Sequence, residues 1–394
     1  MLLARNDIAR DIPGPAPLKV RATDGTAMTS QQRIADNEPD FIFEEPPSAP
    51  GLDALKAAFD KLYLGRQPRQ FDNPQPRSLG GDDPLTSICV WRRAAPVPHW
   101  HFVTHGFSDL VTKTHRDPAV SGFGFELTLR VACQPDDIDP PIWPLHLLQS
   151  LGRYVFNSGN GFRDGHRVST NGPITLGLPT RLGAVGFTAD PELPPITTVH
   201  GSVAFLQIVG LTEDEERAAT AWDTRKLLDE LAPHLPLFIT DLKRNSVLIR
   251  PDVQARVSAA IARDGSSNGI VFTDLLLVTQ RKRFLRAPDV QLTLGARQIQ
   301  QLVELLPLRL PFERPFMLCG PGWRLQFEPG RRNRMRIDGR QITLQISKKT
   351  AQEFATLLHP RQGVYKLPSF QNILWDVKQT TIRNALGELV DIIG

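Results

Sequence analysis

Ser121-Gly122-Phe123-Gly124-Phe125-Glu126-Leu127-Thr128-Leu129-Arg130-Val131 decides how the chain must fold. Phe123, Phe125, Leu127, Leu129 and Val131 alternate with Gly122, Gly124, Glu126, Thr128 and Arg130. That is the two-residue period of a strand with one buried face, and it predicts a central core strand. Downstream the period changes. Trp143, Leu147, Leu151 and Val155 fall on one helical stripe, Pro144 suits a first turn, and Asn157-Ser158-Gly159 stops it. Residues 86–92 and 101–104 are expected as strands pairing with the core strand, and residues 51–64 as a helix opening this lobe.

Further along, residues 203–209 form a nearly continuous apolar run, as in a strand covered on both faces. Thr212 precedes Glu215 by three residues, a capping box for a helix buried through Ala218, Trp222 and residues 228–231. Residues 237–240 and 246–249 are expected as a hairpin and 251–263 as a helix. The later chain is apolar enough for a strand over 270–279 and predicts strands over 290–294, 316–319, 323–327, 335–337 and 341–346, with helices over 295–306 and 348–358. Residues 380–393 show no decisive period.

The 394 residues suffice for two domains. A mobile tail is expected over 1–50, a first lobe over 51–270, a linker over 271–288 and a second lobe over 289–394. No apolar window approaches the roughly 18 residues of a membrane span, and the opening MLLARNDIARD lacks an apolar signal core. A cytoplasmic location is therefore expected. Cys89, Cys133 and Cys319 form no CxxC pair, which points to free thiols. The net charge of +4 hides an asymmetry, because residues 1–280 carry −6 and the rest +10. Such a division can steer a charged partner or hold two lobes across a cleft.

Candidate chemistry is sparse. His99 and His101 share a strand face and could ligate one metal with His105 or Asp109, but the spacing does not fix a third ligand, so no metal or cofactor is expected. Ser121 and Ser158 lack a nucleophile elbow, and Gly122-Phe123-Gly124 lacks the third glycine of a dinucleotide site. Asp136-Asp137-Ile138-Asp139 lacks the spacing of a calcium loop. Arg331, Arg332, Arg334, Arg336 and Arg340 form a basic patch without aromatic interleaving, so nucleic acid is not the expected partner.

The strings His99-Trp100-His101, 122–128 and Arg153-Tyr154-Val155-Phe156 occur in an order that resembles the suppressor of fused family, as do 80–85, 203–210, 239–241 and 252–265. The resemblance is strong over 78–270 and weaker over 290–354. It implies an α+β fold, two mixed α/β lobes with a peptide-binding cleft between them, and no enzymatic activity. It also implies a partner peptide added as a strand between the lobes' sheets. Residue by residue, Tyr154 takes the place of a groove tyrosine, residues 165–170 that of the first-lobe pairing strand, and residues 290–294 that of the second-lobe one. Val168, Val290 and Leu292 lie in those strands, with Leu292 replacing a groove leucine. The sequence departs from the animal proteins where they carry an aspartate after the strand's glycine. Here Asp164-Gly165-His166 puts His166 in that place, unless a one-residue slip returns Asp164 to it. The long insert between lobes is missing, as in a bacterial member. Bacterial relatives resemble immunity proteins, so the expected partner is a toxin domain. Alternatives are a transcription factor or signalling protein that the chain sequesters and, more remotely, a histidine-dependent metalloenzyme. A monomer is expected, with the oligomeric state left open.

Overall fold

The computed structural model describes residues 48–73, 83–175, 177–284, 286–383 and 387–394. Most of the expected 1–50 tail, and Gly80, Gly81 and Asp82 of the 80–85 string, lie outside them.

The first lobe opens with helix α1 (Pro50–Tyr63), which has proline in its first turn and buries Leu55, Phe59 and Tyr63. Strands β1 (Arg69–Asp72), β2 (Ser87–Arg93), β3 (His99–His105) and β4 (Val120–Ala132) follow. After them come helix α2 (Trp143–Ser158) and strands β5 (Arg167–Ser169), β6 (Leu182–Ala189), β7 (Ile196–Thr198) and β8 (Gly201–Thr212). Their sheet runs β1-β2-β3-β4-β8-β6-β5, with β7 paired to β8. β2 is thus one strand removed from β4 and does not pair with it as expected, because β3 occupies that edge.

β4 also corrects the expectation of a single buried face. Leu127, Leu129 and Val131 face the core under α2, yet Glu126, Thr128 and Arg130 are also 0% exposed. Those polar side chains are tolerated because each is bonded, as buried polar groups must be. Glu126 accepts from Thr104 Oγ1 (2.6 Å), Ser108 Oγ (2.6 Å) and the Gly106 and Ser108 amides. Arg130 and Thr128 donate to Asp190, and α1 packs across this side of the sheet through Phe59 and Tyr63.

Helices α3 (Glu213–Ala221), α4 (Thr224–Leu231) and α5 (Pro251–Asp264) form a separate layer against β6 and β8. The single helix expected after Thr212 is broken where Asp223 caps α4 by accepting from the Lys226 amide (3.0 Å). The expected hairpin over 237–249 is absent. Leu237 and Phe238 take positive φ after Pro236, and residues 236–238 and 247–249 are 3-10 turns. Thr240 instead bridges to the end of β4, donating to the Arg130 carbonyl and accepting from the Ala132 amide.

The second lobe holds β9 (Ile270–Phe272), β10 (Leu276–Arg283), β11 (Arg286–Gly295), α6 (Ala296–Leu305), β12 (Phe316–Cys319), β13 (Arg324–Pro329) and β14 (Arg334–Asp338). It continues with β15 (Gln341–Ile346), α7 (Lys348–Leu357), β16 (Gly363–Leu367) and β17 (Phe370–Lys378), and a β18 (Thr380–Arg383)–β19 (Leu389–Ile393) hairpin closes the chain. Two sheets, β14-β15-β13-β12-β9 and β10-β11-β17-β16, share one core with α6 and α7 around Phe354 and Trp375. The segment expected as a linker, 271–288, is mostly strand. The one strand expected over 270–279 is interrupted at 273–275, so that β9 joins β12 and β10 joins β11 in different sheets.

Candidate functional site

β5 is an edge strand. Its pairs with β6 are Arg167 with Gly186, Val168 with Val185 and Ser169 with Ala184. The Phe187 amide donates to the His166 carbonyl and the Thr170 amide to the Gly183 carbonyl, so even-numbered residues face β6. The backbone groups of Arg167 and Ser169 therefore point to the open edge. Gly165, at φ +80°, turns the chain into this strand, where a Cβ would press on Arg225 at 3.2 Å.

The expected groove residues separate on inspection of this geometry. Tyr154 is half-buried on α2 and stacks on Phe162 (5.5 Å between ring centroids), which stacks on Phe187 (4.2 Å). Val168 packs against the same core, so it supports β5 from below and does not present the edge. Asp164 is exposed and paired to Arg225 Nε at 3.3 Å. His166 is exposed, and partial burial together with Arg163 holds its imidazole below the usual range. Val290 and Leu292 correct the second-lobe assignment. They are 1% and 0% exposed, and β11 has β10 on one edge and β17 on the other, so it has no edge left to offer.

The second-lobe edge strand that follows directly on the first lobe is β9. It pairs only with β12 among the described residues, and Ile270 and Phe272 are 54% and 71% exposed. The Met317 amide donates to the Gly269 carbonyl and the Thr273 amide to the Cys319 carbonyl, so Ile270 and Phe272 turn their backbone groups away from β12.

Helix α3 connects the two edges. Glu216, one turn inside it, is raised by burial and held back by Arg167, a bond from Ser169, and Arg297 on α6. Burial lowers Arg167, whose Nη1 donates to Thr224 Oγ1 (3.2 Å). Four residues later, about 6 Å along the helix, the Thr220 carbonyl accepts from Ser266 Oγ (2.7 Å), and the Trp222 carbonyl accepts from the Ser267 amide (2.6 Å). Ser266 and Ser267 lead directly into β9. One end of α3 thus holds β5 and the other holds the approach to β9. Glu216 was hidden in the sequence within an acidic first turn already explained by capping, and β9 within an apolar run read as one strand over 270–279, whose missing neighbour no local pattern marks.

The three histidines are brought to one face but not to one point. His99 Nδ1 lies 2.7 Å from the Val97 carbonyl, His101 Nδ1 meets Tyr63 Oη, and His105 Nδ1 lies 3.0 Å from Ser87 Oγ. Asp109 instead accepts from Thr114 Oγ1 (2.6 Å) and the Gly122 amide (2.8 Å). Among the described residues no group of three or more His, Cys, Asp or Glu is placed to hold a metal ion. No helix among them is long and apolar enough to cross a membrane.

The family model described as Suppressor of fused protein matches residues 81–245. The human Suppressor of fused homolog is 36% identical over 235 residues, covering 55% of this chain and 48% of the relative, and the mouse homolog gives the same figures. The chain therefore spans about half the length of the curated relatives it matches. The crystal structure of Drosophila Suppressor of Fused superposes with a TM-score of 0.70 at 21% identity, covering 87% of this chain and 99% of that one, which establishes the shared two-lobed fold. A chain from the Sufu-Fu complex crystal structure is 30% identical with a TM-score of 0.50, covering 54% of this chain and 98% of that chain. With the ordered motifs, the sequence identity and the fold in agreement, the chain belongs to the suppressor of fused family.

Proposed function

We propose that this chain is a non-catalytic protein-binding module that captures an extended segment of a partner between its lobes, paired to β5 on one side and β9 on the other. The observation that supports it most is the pair of open edges held by one helix. Main-chain pairing supplies affinity in this mode, and flanking side chains supply choice. On β9 the flanking groups are Ile270 and Phe272. On the first lobe they are His166 and Arg167, which favour an acidic or acceptor side chain in the partner. A similar chain comes from the Sufu-Fu complex crystal structure, which supports a protein partner for this one.

For the partner we infer a toxin domain, neutralised in the bacterial cytoplasm by occlusion. The division into an acidic and a basic part suits a partner whose own surface is charged. The lobes we assign to this role are 51–269 and 270–394, with β9 opening the second one at the seam.

Capture from host lysate, followed by co-expression with the toxin encoded beside the gene, tests both levels. Ser169→Pro and Phe272→Pro each remove an amide that points away from the native ladder, so they block strand addition and spare the sheets. Capture by the wild type and loss in both variants supports the cleft; a partner retained by both overturns it. A regulator in place of a toxin among the captured proteins overturns the immunity reading alone.

A further inference from the structure

A cavity of about 520 Å3 opens beside β1, on the sheet edge opposite β5. Six strand spacings, roughly 29 Å, separate it from the cleft. Its volume lies within the range of small-molecule sites.

The cavity is walled by charge over an aromatic floor. Arg92 pairs with Trp100 and Val90 with Phe102 across β2 and β3, and Arg69 pairs with Val90, which places Arg69, Val90, Arg92 and Trp100 on one face. The Arg69 and Arg92 guanidinium carbons each lie 5.8 Å from the Trp100 ring centroid. Trp100 is 3% exposed and its indole nitrogen has no hydrogen-bond partner among the described residues.

The cations differ in how fully they are answered. Arg69 pairs with Asp139, and Arg92 donates to the neutral carbonyls of Gln134 and Pro135. Arg66, on the rim, has no ion pair or side-chain hydrogen bond among the described residues. The facing loop, 135–138, brings Asp136, likewise without a partner among the described residues, and Ile138, 75% exposed. Of the three arginines and two aspartates that line the cavity, Arg66 and Asp136 are thus left without a side-chain partner among the described residues, since Asp137 accepts from the Gln134 amide (2.8 Å), and both face one space with the apolar floor.

We propose that this cavity binds an α-carboxylate carried next to a large apolar side chain, as in a free amino acid or the C-terminus of a peptide. The Arg66 fork takes the carboxylate. The side chain lies over Trp100 and Val90 against Ile138, with the stacking that aromatic groups favour. In a free amino acid the ammonium meets Asp136; in a peptide terminus that position is an amide.

The test titrates the isotopically labelled full chain with L-phenylalanine, N-acetyl-L-phenylalanine and L-phenylalaninamide, while following the six tryptophan indole N–H signals and the heat of binding. Trp100→Phe assigns the reporting signal. The expected result is a saturable shift of the Trp100 signal with a carboxylate-bearing probe. Binding should be at least about tenfold weaker for phenylalaninamide and for Arg66→Ala, the loss of one charge-assisted contact. Asp136→Ala separates the sources: it weakens L-phenylalanine in the amino-acid case and leaves N-acetyl-L-phenylalanine unchanged in the terminus case. Arg66 and Asp136 are exposed, so both variants fold. No shift or heat with any probe at about 10 mM, equal binding of phenylalaninamide, or unchanged binding by Arg66→Ala each overturns the proposal. Ser169→Pro leaves this binding intact, which separates its failure from that of the cleft.

Discussion

At the scale of single residues, the densest energetics lie in the buried polar layer under α1. Arg130, fully buried, donates to both Asp190 oxygens (2.7 and 3.0 Å) and to Glu192 (2.9 Å), and Arg93 reaches the same Glu192 (2.8 Å). Although burial pushes the Asp190 carboxyl up, the bonds from His101 and Arg130 outweigh it and hold the group well below the usual range. Removing one partner strands the other, so Arg130→Ala should cost about 3–5 kcal/mol in urea unfolding. Burial also lowers His101 to about 3 and His105 to about 4. Both are neutral in the fold and protonate near pH 6.5 once unfolded, so their stabilisation is complete above that value and is lost as pH falls toward 4. Two protons taken up only on unfolding correspond to about 2.7 kcal/mol per pH unit across that window. Thermal melts from pH 7 to 4.5 should show this fall, and a flat profile would remove the assignment. Leu292, read from the sequence as a groove contact, is a core residue. Leu292→Ala should lose about 2–5 kcal/mol of stability.

At the scale of elements, α3 is held at its start by Glu215, whose carboxylate accepts from the Thr212 amide (3.0 Å), the Val247 amide (2.8 Å) and Arg244 Nη1 (2.7 Å). The capping box legible in the sequence is therefore also the anchor of the 244–249 turn, which the sequence did not reveal. Glu215→Ala should free that turn and cost about 3–5 kcal/mol, because Arg244 loses its buried partner. Faster hydrogen exchange at the Val247 amide than at amides of β4 would verify it. The periods of residues 122–131 and 143–155 were enough to place β4 and α2. It could not show that β4 is buried twice, since a polar side chain reads as solvated until its partner arrives from Asp190 or Ser108, distant in sequence. β11 shows the converse: its apolar residues were legible, but its neighbours β10 and β17 were not, and they decide whether it can pair with a partner.

At the scale of the whole molecule, the lobes meet at 264–269. Arg309, 7% exposed, donates through Nη1 to the Ser266 carbonyl (2.8 Å) and through Nε and Nη2 to the Pro315 carbonyl (2.9 and 2.7 Å). The Ser266 amide donates to the Leu308 carbonyl (2.7 Å), and Gly265, at φ +64°, has no room for a Cβ, which would lie 2.4 Å from that same oxygen. Arg309→Ala and Gly265→Ala should loosen this seam while each lobe keeps its secondary structure. Limited proteolysis would then cut near residue 267, and the radius of gyration in solution would rise; unchanged values for both variants would show the seam is held elsewhere. By itself the sequence determined the elements of both lobes that have a sustained period, the capping of α3, the unequal charge of the two parts and the family, because these depend on neighbours along the chain. Only the tertiary structure decided that Leu292 is core, that β5 and β9 are edge strands, and that Glu216 and Ser266 bring them to one helix. An edge is defined by the strand that is missing beside it, and no local pattern of residues records that.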